Sequence, residues 1–329
     1  MSQQQRRFGR KRNMLLYFWI LVILLSLLTV ASYTWFALSR TPKVSDMNMH
    51  VNSAMGMEIA LTHDSEVWSQ QLDFLDMCSM EDPLRPVSWS EKDQRFYAAI
   101  YGFDGRLTGE WDPLTDEANA NKNDGNGYYS KGTFFARTDQ PVTVSLAKAA
   151  TSADGREGHG TYVIGTPVWN ADKISHDNAG IGAECAIRMG IRVTMVDGAG
   201  NPTGQTPVFY IYEPNADVHI DGSRGYVDTP SIDGPDTLVA REQILTQTVT
   251  LWTEAYPVQR DVLIYNMGDF DGDTTLFQLN KGEMAKIELY IWLEGQDIDC
   301  TNQIQEARIL ANFQLVAEAG GQSGLKPIE

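Results

Sequence analysis

Three aspartates at alternate positions in Gly268-Asp269-Phe270-Asp271-Gly272-Asp273 are the residues best suited to hold a metal ion. Their carboxylates supply the hard oxygens that calcium prefers. Counted from Asp269, glycine falls at the fourth position instead of the sixth, and Asn280 stands where an EF-hand has its bidentate acid. Two readings follow: a tight acidic hairpin, or a loop clipped by calcium through Asp269, Asp271 and Asp273. Other chemistries find less support. The usual helical zinc site places two histidines four residues apart with a glutamate between them, and His50, His63, His159, His176 and His219 have no such spacing. Asp221-Gly222-Ser223-Arg224-Gly225 misses the nucleophile-elbow register by one residue. Cys185 falls inside a predicted strand, where a structural or disulfide role outweighs a nucleophilic one. No catalytic residue is assigned, and the chain reads as a non-enzyme.

The elements that must position these residues begin with the N-terminus. Arg6, Arg7, Arg10, Lys11 and Arg12 form a basic cluster, and residues 14–38 carry no charged side chain. As a helix that run would be roughly 37 Å long, enough to cross a hydrocarbon core of about 30 Å. The basic flank puts the N-terminus in the cytoplasm and residues 39–329 outside. The apolar run exceeds the usual signal-peptide core, which favours a retained anchor. Ser26, Thr29, Ala31 and Ser32 interrupt its second half, which fits cleavage by signal peptidase near Ala31 or Ala37. Both outcomes stay open, and each puts the bulk of the chain at the cell surface or beyond it.

The net charge is −17 despite the basic cluster, so the exported portion is strongly acidic and would repel a phosphate backbone. Nucleic acid is excluded as a partner. With 43% hydrophobic and 10% aromatic residues the chain can build a large core. Three cysteines allow one disulfide in an oxidising exterior. Cys185 and Cys300 both flank strongly patterned strands and are the favoured pair, whereas Cys78 sits in an irregular segment.

Strand signals dominate residues 39–329. Val44, Met47, Met49 and Val51 lie in a predicted strand over Pro42–Val51, and Gly56–Thr62 is a second. Glu66–Arg95 reads as loop-rich, broken by Pro83 and Pro86, and Gly102–Lys131 as a long turn region. Gly132–Ala136 and Val142–Leu146 flank a turn and read as a hairpin or a bulged strand. In Ala183–Val196 one apolar face opposes Arg188, Arg192 and Thr194. Val208–Tyr212, Gln243–Trp252, Val258–Tyr265, Leu276–Leu279, Glu283–Leu293 and Ile309–Ala317 are further predicted strands, and Asp297–Ala307 a short helix. The fold class is mainly β: a jelly-roll-like β-sandwich with long inserted loops, after one N-terminal transmembrane or signal helix. The organisation is a cytoplasmic segment 1–13, an apolar helix 14–38, an extended segment 39–55, a sandwich 56–318 and a polar tail 319–329.

The end of the apolar run, Ser32-Tyr33-Thr34-Trp35-Phe36-Ala37-Leu38-Ser39, followed by Met55-Gly56-Met57-Glu58-Ile59-Ala60-Leu61, resembles the export region of the camelysin/TasA group. Those are secreted matrix and spore-coat-associated proteins of Gram-positive bacteria. Ile291-Trp292-Leu293-Glu294-Gly295 and Asp299-Cys300-Thr301-Asn302 resemble surface proteins with this kind of signal; both stretches also have a plain architectural account. The resemblance implies a biofilm-matrix or coat role and a segment around Val44, Met47, Met49 and Val51 that completes the sheet of the next subunit, making a fibre. An edge hairpin packed on its own domain is the other reading. Camelysin-like proteins have been described as metalloproteases, an activity for which the histidine spacing offers no site. An extracellular glycan- or ligand-binding module is the alternative, with Trp68, Trp111 or Trp169 exposed on one face.

Overall fold

The computed structural model describes residues 17, 19–29, 44–48, 50–52, 56–73, 77, 83–90, 93–102, 107–121, 127–147, 150–151, 158–165, 167–168, 181–182, 186–214, 244–249, 267–271, 274–297, 300, 307–319 and 324–325. It is mainly β. The strands are β1 (Val44–Asn48), β2 (His50–Asn52), β3 (Met57–Ala60), β4 (Gln71–Asp73), β5 (Pro86–Ser90), β6 (Arg95–Tyr101), β7 (Leu107–Pro113) and β8 (Ser130–Thr138). They continue with β9 (Val142–Leu146), β10 (Ala150–Thr151), β11 (Gly158–His159), β12 (Tyr162–Gly165), β13 (Pro167–Val168), β14 (Ile181–Gly182) and β15 (Ile187–Val196). The last are β16 (Val208–Pro214), β17 (Ile244–Val249), β18 (Met267–Asp271), β19 (Thr275–Leu279), β20 (Met284–Glu294), β21 (Ala307–Ala319) and β22 (Gly324–Leu325).

Two sheets share one core. The larger runs β18-β17-β16-β15-β20 and forks beyond β20, where β8 followed by β3 takes residues 284–291, and β5-β6-β7 takes the end at Leu293 and Glu294. The smaller runs β22-β19-β9-β21-β2-β4, with β1 and β12 also on β21. The period-two pattern decides which side chains meet between the sheets. Ile187, Met189, Ile191, Val193 and Met195 of β15 pack with Ile287, Leu289, Ile291 and Leu293 of β20 against Val142, Val144 and Leu146 of β9 and Phe313 and Leu315 of β21.

The opposite face of the larger sheet is covered too. Trp89 of β5 stacks on Phe209 of β16 at 4.3 Å, although three strand spacings, about 14 Å, would separate those strands in a flat sheet. The β5-β6-β7 limb therefore curls back over β20, β15 and β16. It encloses a second core of Val87, Trp89, Phe96, Tyr129, Phe209, Tyr290 and Trp292. Gly190 lies beneath it: a Cβ there would sit 2.5 Å from the Phe209 ring and 2.9 Å from Trp292. Gly190→Ala is expected to lower stability by about 1–3 kcal/mol through overpacking. An unchanged urea midpoint would mean the rings can retreat.

Several expectations are corrected. Glu66–Arg95 contains β4 and β5, and Gly102–Lys131 contains β7 and a helical turn at Asp116–Asn119, so neither is merely loop. Pro86 opens β5, where its missing N–H does least harm. β8 and β9 form no hairpin: β8 pairs β20 and β3, whereas β9 pairs β19 and β21 in the other sheet. Arg188, on the face opposite the apolar one, is buried as well. Within the apolar run residues 19–29 are helical, roughly 16 Å in length, with exposed large side chains from Ile20 to Leu28. Among the described residues no helix is long and apolar enough to cross a membrane; most of the rest of 14–38 lies outside them. Val258–Tyr265 and most of Asp297–Ala307 lie outside them as well.

Candidate functional site

The segment predicted for strand exchange adds to the smaller sheet of its own chain. β1 runs parallel to β21, with Val44 opposite Ala307 and Met47 opposite Ile309, and the register shifts between Ser45 and Met47. β2 continues along the same strand with Val51 opposite Phe313. Met49 lies outside the described residues. On its far side β2 pairs antiparallel with β4, while β1 has no second strand neighbour among the described residues. β21 is the hub, since β12 and β9 occupy its other edge in succession. Strands that lie next to one another there are distant in sequence.

A second constellation lies in the larger sheet. Arg188 faces away from the shared core, and β15 pairing places Trp292 of β20 beside it. Across the other edge, Glu213 lies one register step beyond the Met189 and Tyr212 pair. Arg188 Nη2 donates to Glu213 at 2.7 Å and to Asp297 at 2.5 Å, and Nη1 donates to the Ile187 carbonyl at 3.0 Å. All three charged side chains are within 1% of complete burial. Burial opposes the guanidinium charge, but the two carboxylates more than offset this, and the Arg188 pKa rises.

Glu294 belongs to the same group. It ends β20 two residues after Trp292, whose Nε1–H donates to its Oε2 at 3.0 Å. Gln296 N–H donates to Oε1 at 3.1 Å, and Ser88 Oγ makes a short hydrogen bond to the same oxygen. Burial pushes this carboxyl up to about 7, despite those donors and the nearby Arg188. Tyr101 closes the cluster from β6: its hydroxyl lies 3.4 Å from Cys300 Sγ, and burial, then Cys300, pushes its pKa upward.

No protein-family model matches the chain, and no significant match was found among curated proteins or solved structures.

A third, half-buried group joins Lys131 to Asp116 at 2.6 Å and to Glu288 at 3.0 Å, with Lys286 3.1 Å from Glu288. Burial pulls the Asp116 carboxyl up, but hydrogen bonds from Lys131 and Tyr129 win, leaving it below its ordinary value. Glu288 is lowered likewise, Lys131 outweighing burial. These pairs tie β8, β20 and the Asp116 turn together at the rim of the second core.

The structure brings few of the sequence-predicted site residues into one place. Asp269 and Asp271 lie on the edge strand β18, and Asp273 falls outside the described residues. Among the described residues no three His, Cys, Asp or Glu side chains form a group able to hold a metal ion. Cys300 is buried against Tyr101, and Cys185 lies outside the described residues. Trp68 is half-buried, with the Arg137 guanidinium 4.1 Å over its ring; Trp111 is half-buried on β7; Trp169 lies outside the described residues. Sequence reasoning missed the Arg188 cluster. Its available signals were Glu213 and Glu294, acids at the ends of the apolar runs Val208–Tyr212 and Leu289–Leu293.

Proposed function

We propose that this chain is an exported, non-enzymatic surface or matrix protein, a jelly-roll-like β-sandwich that self-associates by exchanging its N-terminal strand. The observation that carries the reading is the parallel docking of β1 and β2 on β21, after the apolar run and before the first strand of the larger sheet. A strand held at one end of the chain can make the same backbone pairs with the β21 of a second copy, so exchange creates no new interface chemistry. What exchange costs is association entropy, about 4 kcal/mol or more, and confinement of the chains to one surface reduces that penalty. Residues 14–38 supply the confinement as a membrane-directed leader, retained as an anchor or removed by signal peptidase. The acidic exterior keeps unassembled copies apart and soluble.

The register gives a direct test. Chains carrying Val44→Cys and chains carrying Ala307→Cys are mixed, concentrated and oxidised, with each single variant alone as the control for native thiols. Exchange is expected to give a disulfide-linked heterodimer that extends to polymers when both cysteines are on one chain. Intramolecular cross-linking alone, with the double variant remaining monomeric at every concentration, would overturn the proposal.

A further inference from the structure

Three carboxyl groups face one guanidinium in the interior of the larger sheet, and that imbalance has a consequence. Arg188 is occupied by Glu213 and Asp297 at hydrogen-bond distance, so the charge it supplies is already matched. Glu294 is fully buried beside them. A third unmatched negative charge in a low-dielectric interior is costly, and holding a proton removes it. Ser88 provides the partner: its hydroxyl, which donates to Glu294 Oε1, can instead accept from the protonated acid, so the neutral carboxyl is satisfied in the closed sheet, whereas the ionised one keeps a buried charge that release of the limb would hydrate.

The location makes proton occupancy matter. Ser88 belongs to β5, the strand through which the whole β5-β6-β7 limb attaches to β20. That attachment is short, consisting of the parallel pairs Leu293 with Pro86 and Glu294 with Val87, together with Gly295 N–H donating to Val87 O at 2.9 Å. The groups facing Glu294 come from each neighbouring element: Arg188 from β15, Glu213 from β16, Ser88 from β5, Tyr101 from β6, Trp292 from β20, and Gln296, Asp297 and Cys300 from the turn that follows. Lys131, Asp116 and Glu288 form a separate group around Tyr290 on the same strand.

We propose that Glu294 and Ser88 form a proton-operated latch that holds the β5-β6-β7 limb onto the central sheet, tight when Glu294 carries its proton and loosened when it does not.

The direction is fixed by linkage. The Glu294 carboxyl is raised in the closed state to about 7, against 4.5 when exposed. Its contribution to closure is therefore complete below the exposed value and is lost as pH rises through the closed-state value. The closing equilibrium should fall about tenfold per pH unit between about pH 5 and 7, then level off. Asp116 and Glu288, both lowered, act in the opposite sense and only in more acidic solution.

Two measurements on the full chain test this. The infrared carbonyl band of a protonated buried carboxyl should be present at pH 5.5, titrate near pH 7, and be missing in Glu294→Gln. Amide hydrogen exchange across 86–90 and 293–297, corrected for the intrinsic pH dependence of exchange, should lose protection between about pH 5 and 7 and then level off, while Val142–Leu146 does not. Glu294→Gln should flatten that profile; should the variant fail to fold, the wild-type band and exchange profile decide alone. Absence of the band at pH 5.5, or protection that stays level while the band titrates, would overturn the latch.

Discussion

Replacing Arg188 with methionine is expected to lower the free energy of unfolding by about 3–5 kcal/mol, the range for a buried ion pair broken by removing one partner. Methionine roughly preserves the volume of the side chain, so the loss is electrostatic. Glu213 and Asp297, now 2.7 and 2.5 Å from a guanidinium, would share an interior with no counter-charge. Substituting all three by apolar residues of similar volume is expected to recover most of the loss, because the apolar set carries no desolvation penalty. Urea midpoints for the single and triple variants measure both effects. A single variant within about 0.5 kcal/mol of the parent, the usual range for surface substitutions, would mean that water reaches the cluster.

This cluster also marks where the sequence stopped being legible. Alternation in Ala183–Val196 correctly separates Ile187, Met189, Ile191, Val193 and Met195 from the residues between them. Alternation alone does not say whether the face carrying Arg188, Arg192 and Thr194 is open to solvent or covered. It is covered because β5 and β6 fold over it, and Pro83 and Pro86 conceal β5 from a strand pattern. Arg188 and Glu213 are 25 residues apart, and Arg188 and Asp297 are 109 apart, separations at which periodicity carries no information. The same reason hides the true partners of β8 and β9, which adjacency in sequence suggests are each other. The docking of β1 and β2 was half legible. Their strand character follows from pattern and Pro42, but their parallel pairing with the chain's last long strand could not be read from either segment alone.

The second core yields the other large prediction. Trp89→Ala is expected to cost about 3–5 kcal/mol, since the ring stacks on Phe209 at 4.3 Å, meets Phe96 edge-on at 5.1 Å, and is 2% exposed. The loss should appear first as release of the β5-β6-β7 limb, because Trp89 is the side chain that joins β5 to β16 across the curl. Phenylalanine separates packing from hydrogen bonding. Trp89 Nε1 is buried with no acceptor among the described residues, so Trp89→Phe removes an unsatisfied donor along with part of the ring. Trp292 Nε1 donates to Glu294, so Trp292→Phe removes a bond to a carboxyl group and is expected to cost about 1–2 kcal/mol more than Trp89→Phe. It should also move the Glu294 infrared titration above pH 7, since one of the donors that favours the ionised form is gone. Equal costs for the two phenylalanine variants, with an unmoved titration, would remove Trp292 from the proton site and leave it a packing residue alone.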